Sequence, residues 1–393
     1  MAEASELFRT ERYDRVRNPI EEAEHLPASC YTSPEFYQRE AERIFRRAWN
    51  FLGRADQIPK AGDYFTADIA GIPIIVVRCR DGVPRALANT CRHRGALLLK
   101  GAGRCTRYIA CPYHSWSYAL DGALVAAPGM EGVHGFDRAD FSLQPVRLET
   151  WDGFMFVNFD SDAESLASYL GDLPAFLQCY GFGRMRCVRR KSYSVNCNWK
   201  LLAENSIEDY HTATVHRHSI GAQKLVYEPQ RRNWAAAYYR TKKSIATLPA
   251  SAGAFPWIPT LTEKARNGTY FVIVYPATTL ACNQDGLFWV ELYPRGPART
   301  EVVVAHAFPE TTIERPDFEE IARIYYERCD LSIPEDNGIA ELQHQGLQSP
   351  LARPGRVSRK ETLVHAFANW VLDRVLDGET VSARPVARAA GRL

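Results

Sequence analysis

The sequence predicts an α+β protein: a small N-terminal antiparallel β domain, then a larger domain in which an antiparallel sheet is flanked by helices. Three observations carry this. Between about residues 50 and 160, short β-rich runs (DYFTADIA, IPIIVVRC, PRALANT, RYIACPY, GFMFVNF) are broken by Gly, Pro and Asp turns. Beyond residue 186 helical segments alternate with longer strands, TYFVIVYP, LFWVELYP and TEVVVAHAF. Two further helical stretches close the chain, near 316–346 and 360–377.

Taken in order, residues 1–45 form an arm and lead-in helix. PEFYQREAERIFRRAW at 34–49 places Phe36, Tyr37, Ile44, Phe45 and Trp49 at helical spacing behind a Pro suited to a first turn. Residues 46–160 are the β domain. Residues 161–380 are the larger domain, with helices near 163–180 and 198–215. Residues 381–393, within VSARPVARAAGRL, read as a disordered tail.

The 393 residues are 46% hydrophobic and 24% charged, ordinary for a globular protein of two domains, and the net charge is +2. No long basic run argues for nucleic acid, and no window approaches the length of a transmembrane helix. The charged N-terminus has no apolar h-region, so a cytoplasmic protein is expected. Of ten cysteines, most are scattered, as small buried residues are in a reducing compartment.

Cys91 and Cys111 differ. The chain reads CRHRG at 91–95 and CPYHSW at 111–116, so each arm offers one thiolate and one imidazole: Cys91 with His93, Cys111 with His114. Zinc accepts Cys₂His₂, but zinc fingers pair Cys with Cys and His with His. One of each per arm suits a [2Fe–2S] cluster with two His on one iron and two Cys on the other, the Rieske arrangement, in which neutral imidazoles raise the reduction potential.

A second group lies in NWKLLAENSIEDYHTATVH, where His211 and His216 are separated by four residues. Helical neighbours three or four apart share a face and five apart diverge, so a distortion or helix end between them is needed to aim both rings at one ion. Glu208 precedes His211 by three and shares its face on a helix.

These segments resemble those of the Rieske non-heme iron oxygenases, the ring-hydroxylating α-subunit family, over roughly residues 30–380. The positions of the disulfide that cytochrome-complex Rieske proteins carry correspond to Ala96 and Tyr113, so that bridge is absent. The resemblance implies a Rieske domain at 46–160 and a catalytic mononuclear-iron domain at 161–380. NWK…EN…YH….H is similar to the family's iron signature, so His211 and His216 are the implied imidazole ligands, with His218 a decoy for the latter. PEDNGIAELQHQGLQSP is similar to the family's acidic segment and supplies Asp336 as the carboxylate of a 2-His-1-carboxylate triad, with Glu335 the neighbouring alternative. Glu208 is the implied bridge from a ligating His to a Rieske His on the next subunit. Many aromatic-ring dioxygenases have Asp there, and here the stretch from Asn205 to His211 is one residue shorter. Glu occurs in relatives that oxidise quaternary or N-methylated amines. Asn205 and Tyr210 are candidates to support the ligands, and Tyr113 and Trp116 to pack over the cluster. Trp234, Tyr238, Tyr239, Phe271 and Trp289 are candidate pocket aromatics, although such residues are more often core.

The implied function is that of a terminal oxygenase using O₂, Fe(II) and the cluster. With no GxGxxG fingerprint and no second cysteine set, NAD(P)H oxidation falls to a separate reductase, with or without a ferredoxin. A head-to-tail ring implies a homotrimer without a β subunit. The expected substrate is a small aromatic compound, mono- or dioxygenated. The alternatives are a quaternary or N-methylated amine, a Rieske electron-transfer protein without oxygenase activity, or a binding protein on a degenerate scaffold.

Overall fold

In the computed structural model, which describes residues 6–251 and 254–376, two seven-stranded antiparallel sheets pack together. The expected tail at 381–393 lies outside the described residues. The first sheet has the order β1-β10-β9-β4-β3-β2-β5, from Asn50–Arg54 (β1), Asp63–Ile69 (β2), Ile72–Arg78 (β3), Pro84–Ala88 (β4), Ala102–Arg104 (β5), Pro145–Trp151 (β9) and Phe154–Asn158 (β10). A three-stranded sheet, Ile109–Ala110 (β6), Ser117–Tyr118 (β7) and Leu124–Ala126 (β8), sits beside it. The β9–β10 hairpin turns through Asp152 and Gly153, both at positive φ, as a two-residue turn that follows sheet twist requires. Gly153 is also needed for space, because a Cβ there would meet the Arg54 guanidinium at 2.6 Å.

The second sheet has the order β11-β17-β16-β15-β14-β13-β12. Its strands are Met185–Val195 (β11), Leu225–Tyr227 (β12), Trp234–Arg240 (β13), Gly268–Val274 (β14), Thr278–Cys282 (β15), Leu287–Pro294 (β16) and Thr300–Pro309 (β17). One face packs on the first sheet and on the helices Leu166–Leu170 and Leu173–Leu177; the long helix Phe318–Leu347 serves the opposite face. Alternation along the strands therefore sorts the candidate aromatics. Trp234, Tyr238 and Trp289 belong to one buried core, with Trp289 against Phe51 and Phe154 of the first sheet at 6.2 and 6.1 Å and Trp234 against Phe176 of the Leu173–Leu177 helix at 5.1 Å. They are not pocket residues. Phe271 and Tyr239 alternate onto the face of the long helix.

Three expected helices are shorter than the periodicity suggests. The lead-in helix begins at Pro34, capped by Ser33 Oγ accepting from Phe36 N–H, but runs as an α-helix only to Glu40 before a π turn through Phe45. The stretch near 163–180 breaks at Gly171, which has φ +56°. The helix expected over 198–215 stops at Asn205 and resumes only as Thr212–Val215. Asn205, Ser206 and Asp209 between them are weak helix formers whose side chains compete for backbone groups.

The Trp199–Asn205 helix is anchored by a buried ion pair. Lys200 Nζ donates to Glu40 Oε1 at 2.6 Å and Asn198 Oδ1 at 2.8 Å, and Trp199 Nε1 donates to Glu40 Oε2 at 3.1 Å. Both charged side chains are 0% exposed. Glu40→Ala leaves a buried ammonium without its counter-charge, so a loss of about 3–5 kcal/mol is expected. Chemical denaturation at pH 7 checks it; a change below about 1 kcal/mol contradicts the anchor.

Candidate active site

The break in the helix builds the site. His211 immediately precedes the Thr212–Val215 turn and His216 immediately follows it, so the rings converge 5.1 Å apart at 72° instead of diverging along one helix. Glu208 holds the break: its Oε2 accepts the backbone N–H of Tyr210 and, at 3.2 Å, that of His211. Its Oε1 lies 2.5 Å from His211 Nδ1. The two residues thus meet in a turn and not on a helical face. Asp209 is occupied elsewhere, accepting from Leu225 N–H at 2.7 Å.

Asp336 reaches the same point from the long helix. Its Oδ1 is 3.4 Å from His211 Nε2 and 3.0 Å from His216 Nε2. Among the described residues, these three side chains are the group of donors, all within 4.8 Å of one another, that could hold a metal ion. Glu335 is placed differently from the ligand alternative: its Oε2 lies 2.7 Å from His216 Nδ1 and accepts from Ser219 Oγ at 2.5 Å. An ionised carboxylate only accepts, so each Nδ1 carries a proton, and Nε2 is the atom each ring would turn to a cation. The orienting role of Glu335 escaped the sequence, because adjacency to Asp336 made it look like a competitor for the same atom. His218 is exposed and paired with Arg217 at 2.9 Å, away from the group.

The charges fit a cation. Burial lowers the pKa of His211, but hydrogen bonds to Asp336 and Glu208 outweigh it and push it up to about 9. Burial likewise raises Asp336, and the two imidazoles reverse this to hold it below the usual carboxylate range. In the ion-free chain the His211 imidazolium therefore contributes stability that is full below its unfolded pKa, near 6.5, and lost as pH rises through about 9. A metal must displace that proton. Anaerobic Co(II) titration of ion-free protein is expected to show affinity rising up to about tenfold per pH unit between pH 7 and 9. A flat profile contradicts this protonation.

Of the weaker candidates, Asn205 ends the helix half-buried, while Tyr210 gives its backbone N–H to Glu208. Tyr210 is 56% exposed, with Lys360 Nζ 5.1 Å from the centre of its ring, so it does not pack in the interior with the imidazoles.

The Cys-His arms form two matching loops at the edge of the first domain. Cys91 N–H donates to Ala96 O at 2.9 Å and Gly95 N–H to Cys91 O at 2.9 Å; Cys111 N–H donates to Trp116 O at 2.7 Å and Ser115 N–H to Cys111 O at 3.1 Å. Gly95 and Ser115 occupy equivalent positions at φ +73° and +60°. Both thiols are buried and free, the imidazoles of His93 and His114 lie 4.8 Å apart, and buried His114 Nδ1 has no hydrogen-bond partner. Trp116 stacks on His93 at 4.8 Å and Tyr113 on His114 at 3.7 Å, so both aromatics lie against the cluster-site imidazoles. The Tyr118 hydroxyl lies 3.2 Å from Cys91 Sγ. Paired buried thiols behind two outward imidazoles are the donor set a Rieske cluster takes.

Residues 48–137 match the Rieske [2Fe-2S] domain, and residues 182–377 match the catalytic domain of the ring hydroxylating alpha subunit. A carnitine monooxygenase oxygenase subunit from Escherichia coli K12 is 31% identical over 349 residues, 84% of this chain and 86% of the relative. The chain belongs to the Rieske non-heme iron oxygenases.

A glycine betaine monooxygenase oxygenase subunit from Chromohalobacter salexigens is 27% identical, covering 89% of this oxygenase and 86% of the relative. A solved quaternary ammonium Rieske monooxygenase superposes with a TM-score of 0.79 at 26% identity, covering 92% of this chain and 98% of that one. This oxygenase is therefore an oxidoreductase that incorporates oxygen, with a Rieske [2Fe–2S] cluster and a mononuclear iron as cofactors and electrons from NAD(P)H through a separate reductase. When bound, the iron activates O₂ and the cluster supplies electrons singly. Among the described residues, no helix is long and apolar enough to cross a membrane.

Proposed function

We propose that this oxygenase monooxygenates a quaternary or N-methylated amine, with N-demethylation or C–N cleavage as the outcome. One atom of O₂ enters a C–H bond beside nitrogen, and the resulting carbinolamine breaks to an aldehyde and an amine. The other atom leaves as water, using two electrons from NAD(P)H and two protons. The similarity to the carnitine monooxygenase oxygenase subunit carries this reading, and the choline and glycine betaine relatives support it. Glu208 at the bridge position agrees with it. The expectation of an aromatic substrate has weaker support, because the naphthalene dioxygenase likeness, 22% identical, speaks for the fold alone.

In this reading His211, His216 and Asp336 hold the iron, and Cys91, His93, Cys111 and His114 hold the cluster. Glu208 carries the electron path from a neighbour's cluster in a cytoplasmic homotrimer. The division into an arm (1–45), a cluster domain (46–160) and an iron domain (161–380) belongs to the same proposal. O₂ uptake by purified protein with a generic reductase tests it. Quaternary amines should yield aldehyde and tertiary amine stoichiometric with O₂. Turnover of aromatic compounds alone overturns the amine reading. An iron content of only the cluster's two atoms per chain, with no coupled uptake, restores the electron-transfer alternative.

A further inference from the structure

The two histidines of the iron site are backed by carboxylates of different construction. Glu208 belongs to the same turn as His211: its Oε2 takes the backbone N–H groups of Tyr210 and His211, and its Oε1 lies 2.5 Å from His211 Nδ1. Glu335 reaches His216 across 119 residues of sequence, from the helix Phe318–Leu347. Its Oε2 lies 2.7 Å from His216 Nδ1 and accepts from Ser219 Oγ at 2.5 Å. Ser219 is set in place by the chain beyond His216, where the N–H groups of Ser219 and Gly221 both donate to His216 O, at 3.0 and 2.9 Å. A hydroxyl has one proton to give, and Glu335 is a nearer acceptor than His216 O at 3.4 Å.

These bonds join two separate elements. Asp336, the next residue of the long helix, faces Nε2 of both imidazoles. One continuous helix therefore supplies one ligand and, through Glu335, holds a second from the far side of its ring. His216 is the more deeply seated histidine, its side chain 3% exposed against 15% for His211, and the nearer to Asp336 Oδ1, at 3.0 against 3.4 Å. The carboxylate behind His211 comes from that histidine's own turn and fixes the ring relative to the turn alone.

We propose that Glu335 and Ser219 are positioning residues that lock His216 and Asp336 into one unit, and that this unit, more than the Glu208–His211 pair, sets how tightly the metal is held. This rests on the assignment of the iron to His211, His216 and Asp336 and adds a division of labour: Glu208 serves the turn and the electron path, Glu335 the retention of the metal. A carboxylate accepting from Nδ1–H makes Nε2 the stronger donor and stops rotation of the ring. The Ser219 hydroxyl restrains that carboxylate, whose side chain is otherwise 31% exposed and free to turn to water.

Two measurements read this without turnover: release of the mononuclear Fe(II) from the as-isolated enzyme to excess chelator, and anaerobic Co(II) titration of protein depleted of that iron with its cluster in place. Glu335→Gln should weaken Co(II) binding roughly 10–100-fold, speed Fe(II) release and shift the Co(II) absorption bands, with the cluster spectrum unchanged. Ser219→Ala should weaken binding by about 2–10-fold, as loss of one hydrogen bond does, and Ser219→Thr, which keeps the hydroxyl, should bind like wild type. The double variant should be no weaker than Glu335→Gln alone, because the serine acts through the carboxylate. Glu208→Gln should lose less affinity than Glu335→Gln. Unchanged affinity in Glu335→Gln, equal losses in the two Gln variants or additive losses in the double variant each overturn the proposal. If Glu335→Gln does not fold, the serine variants decide, and equal affinity in Ser219→Ala and Ser219→Thr overturns it. Wild-type protein that takes up no Co(II) beside its cluster overturns the iron assignment as well.

Discussion

Asp336→Ala is expected to abolish product formation and to strip the mononuclear iron while leaving the visible spectrum of the cluster unchanged. Among the described residues the carboxylate is the only acidic group facing both Nε2 atoms, at 3.4 and 3.0 Å, since Glu208 and Glu335 are spent on the Nδ1 side. Two imidazoles alone hold Fe(II) poorly against water and protons, so the loss should exceed the roughly 10–100-fold that removal of an orienting group costs. Iron analysis should fall from the cluster's complement plus one to the cluster's complement alone. The two donor sets lie in separately matched regions, 48–137 and 182–377, which is why the spectrum should survive. Loss of the cluster together with the iron would falsify that separation.

Glu208→Gln is expected to retain both metal centres and to lower steady-state turnover by about 100-fold or more. Glutamine keeps an acceptor for the Tyr210 and His211 N–H groups, so the turn persists. It cannot keep the charged acceptor at His211 Nδ1 without presenting either a neutral carbonyl or an amide donor there. On the proposed electron path through this carboxylate, reoxidation of the reduced cluster under O₂ and substrate should slow in rapid mixing, while its initial reduction by the reductase stays normal. Glu208→Asp keeps the charge and should recover part of the rate. Unaltered reoxidation in the Gln variant would remove Glu208 from the path and leave it only the turn.

Much of the site was legible in the sequence, because ligand chemistry constrains residue type more tightly than packing does. Cys-x-His followed by Cys-x-x-His can be read without coordinates, since those donors lie within short loops. The same holds for the pair of histidines, although the spacing alone leaves their rings diverging on a helix. What periodicity could not show is that the helix stops at Asn205, where a carboxylate three residues on takes over the backbone N–H groups. The pocket aromatics failed for a related reason. Trp234, Tyr238 and Trp289 alternate correctly along their strands, but strand alternation does not say which face meets the other sheet.

The sequence by itself offered the two candidate donor sets, Asp336 among them through the family resemblance, together with the α+β class and the need for an outside reductase. Only the tertiary structure decided which carboxylate faces Nε2 and which faces Nδ1, and which buried cation is left unpaired. Glu335 and Asp336 are neighbours in sequence, and a step of about 100° around the long helix sends them to opposite sides of His216. Arg328 is an ordinary helical arginine until the fold buries it against Phe288, with no carboxylate paired to it among the described residues. Long-range packing sets both outcomes, and no local pattern encodes it.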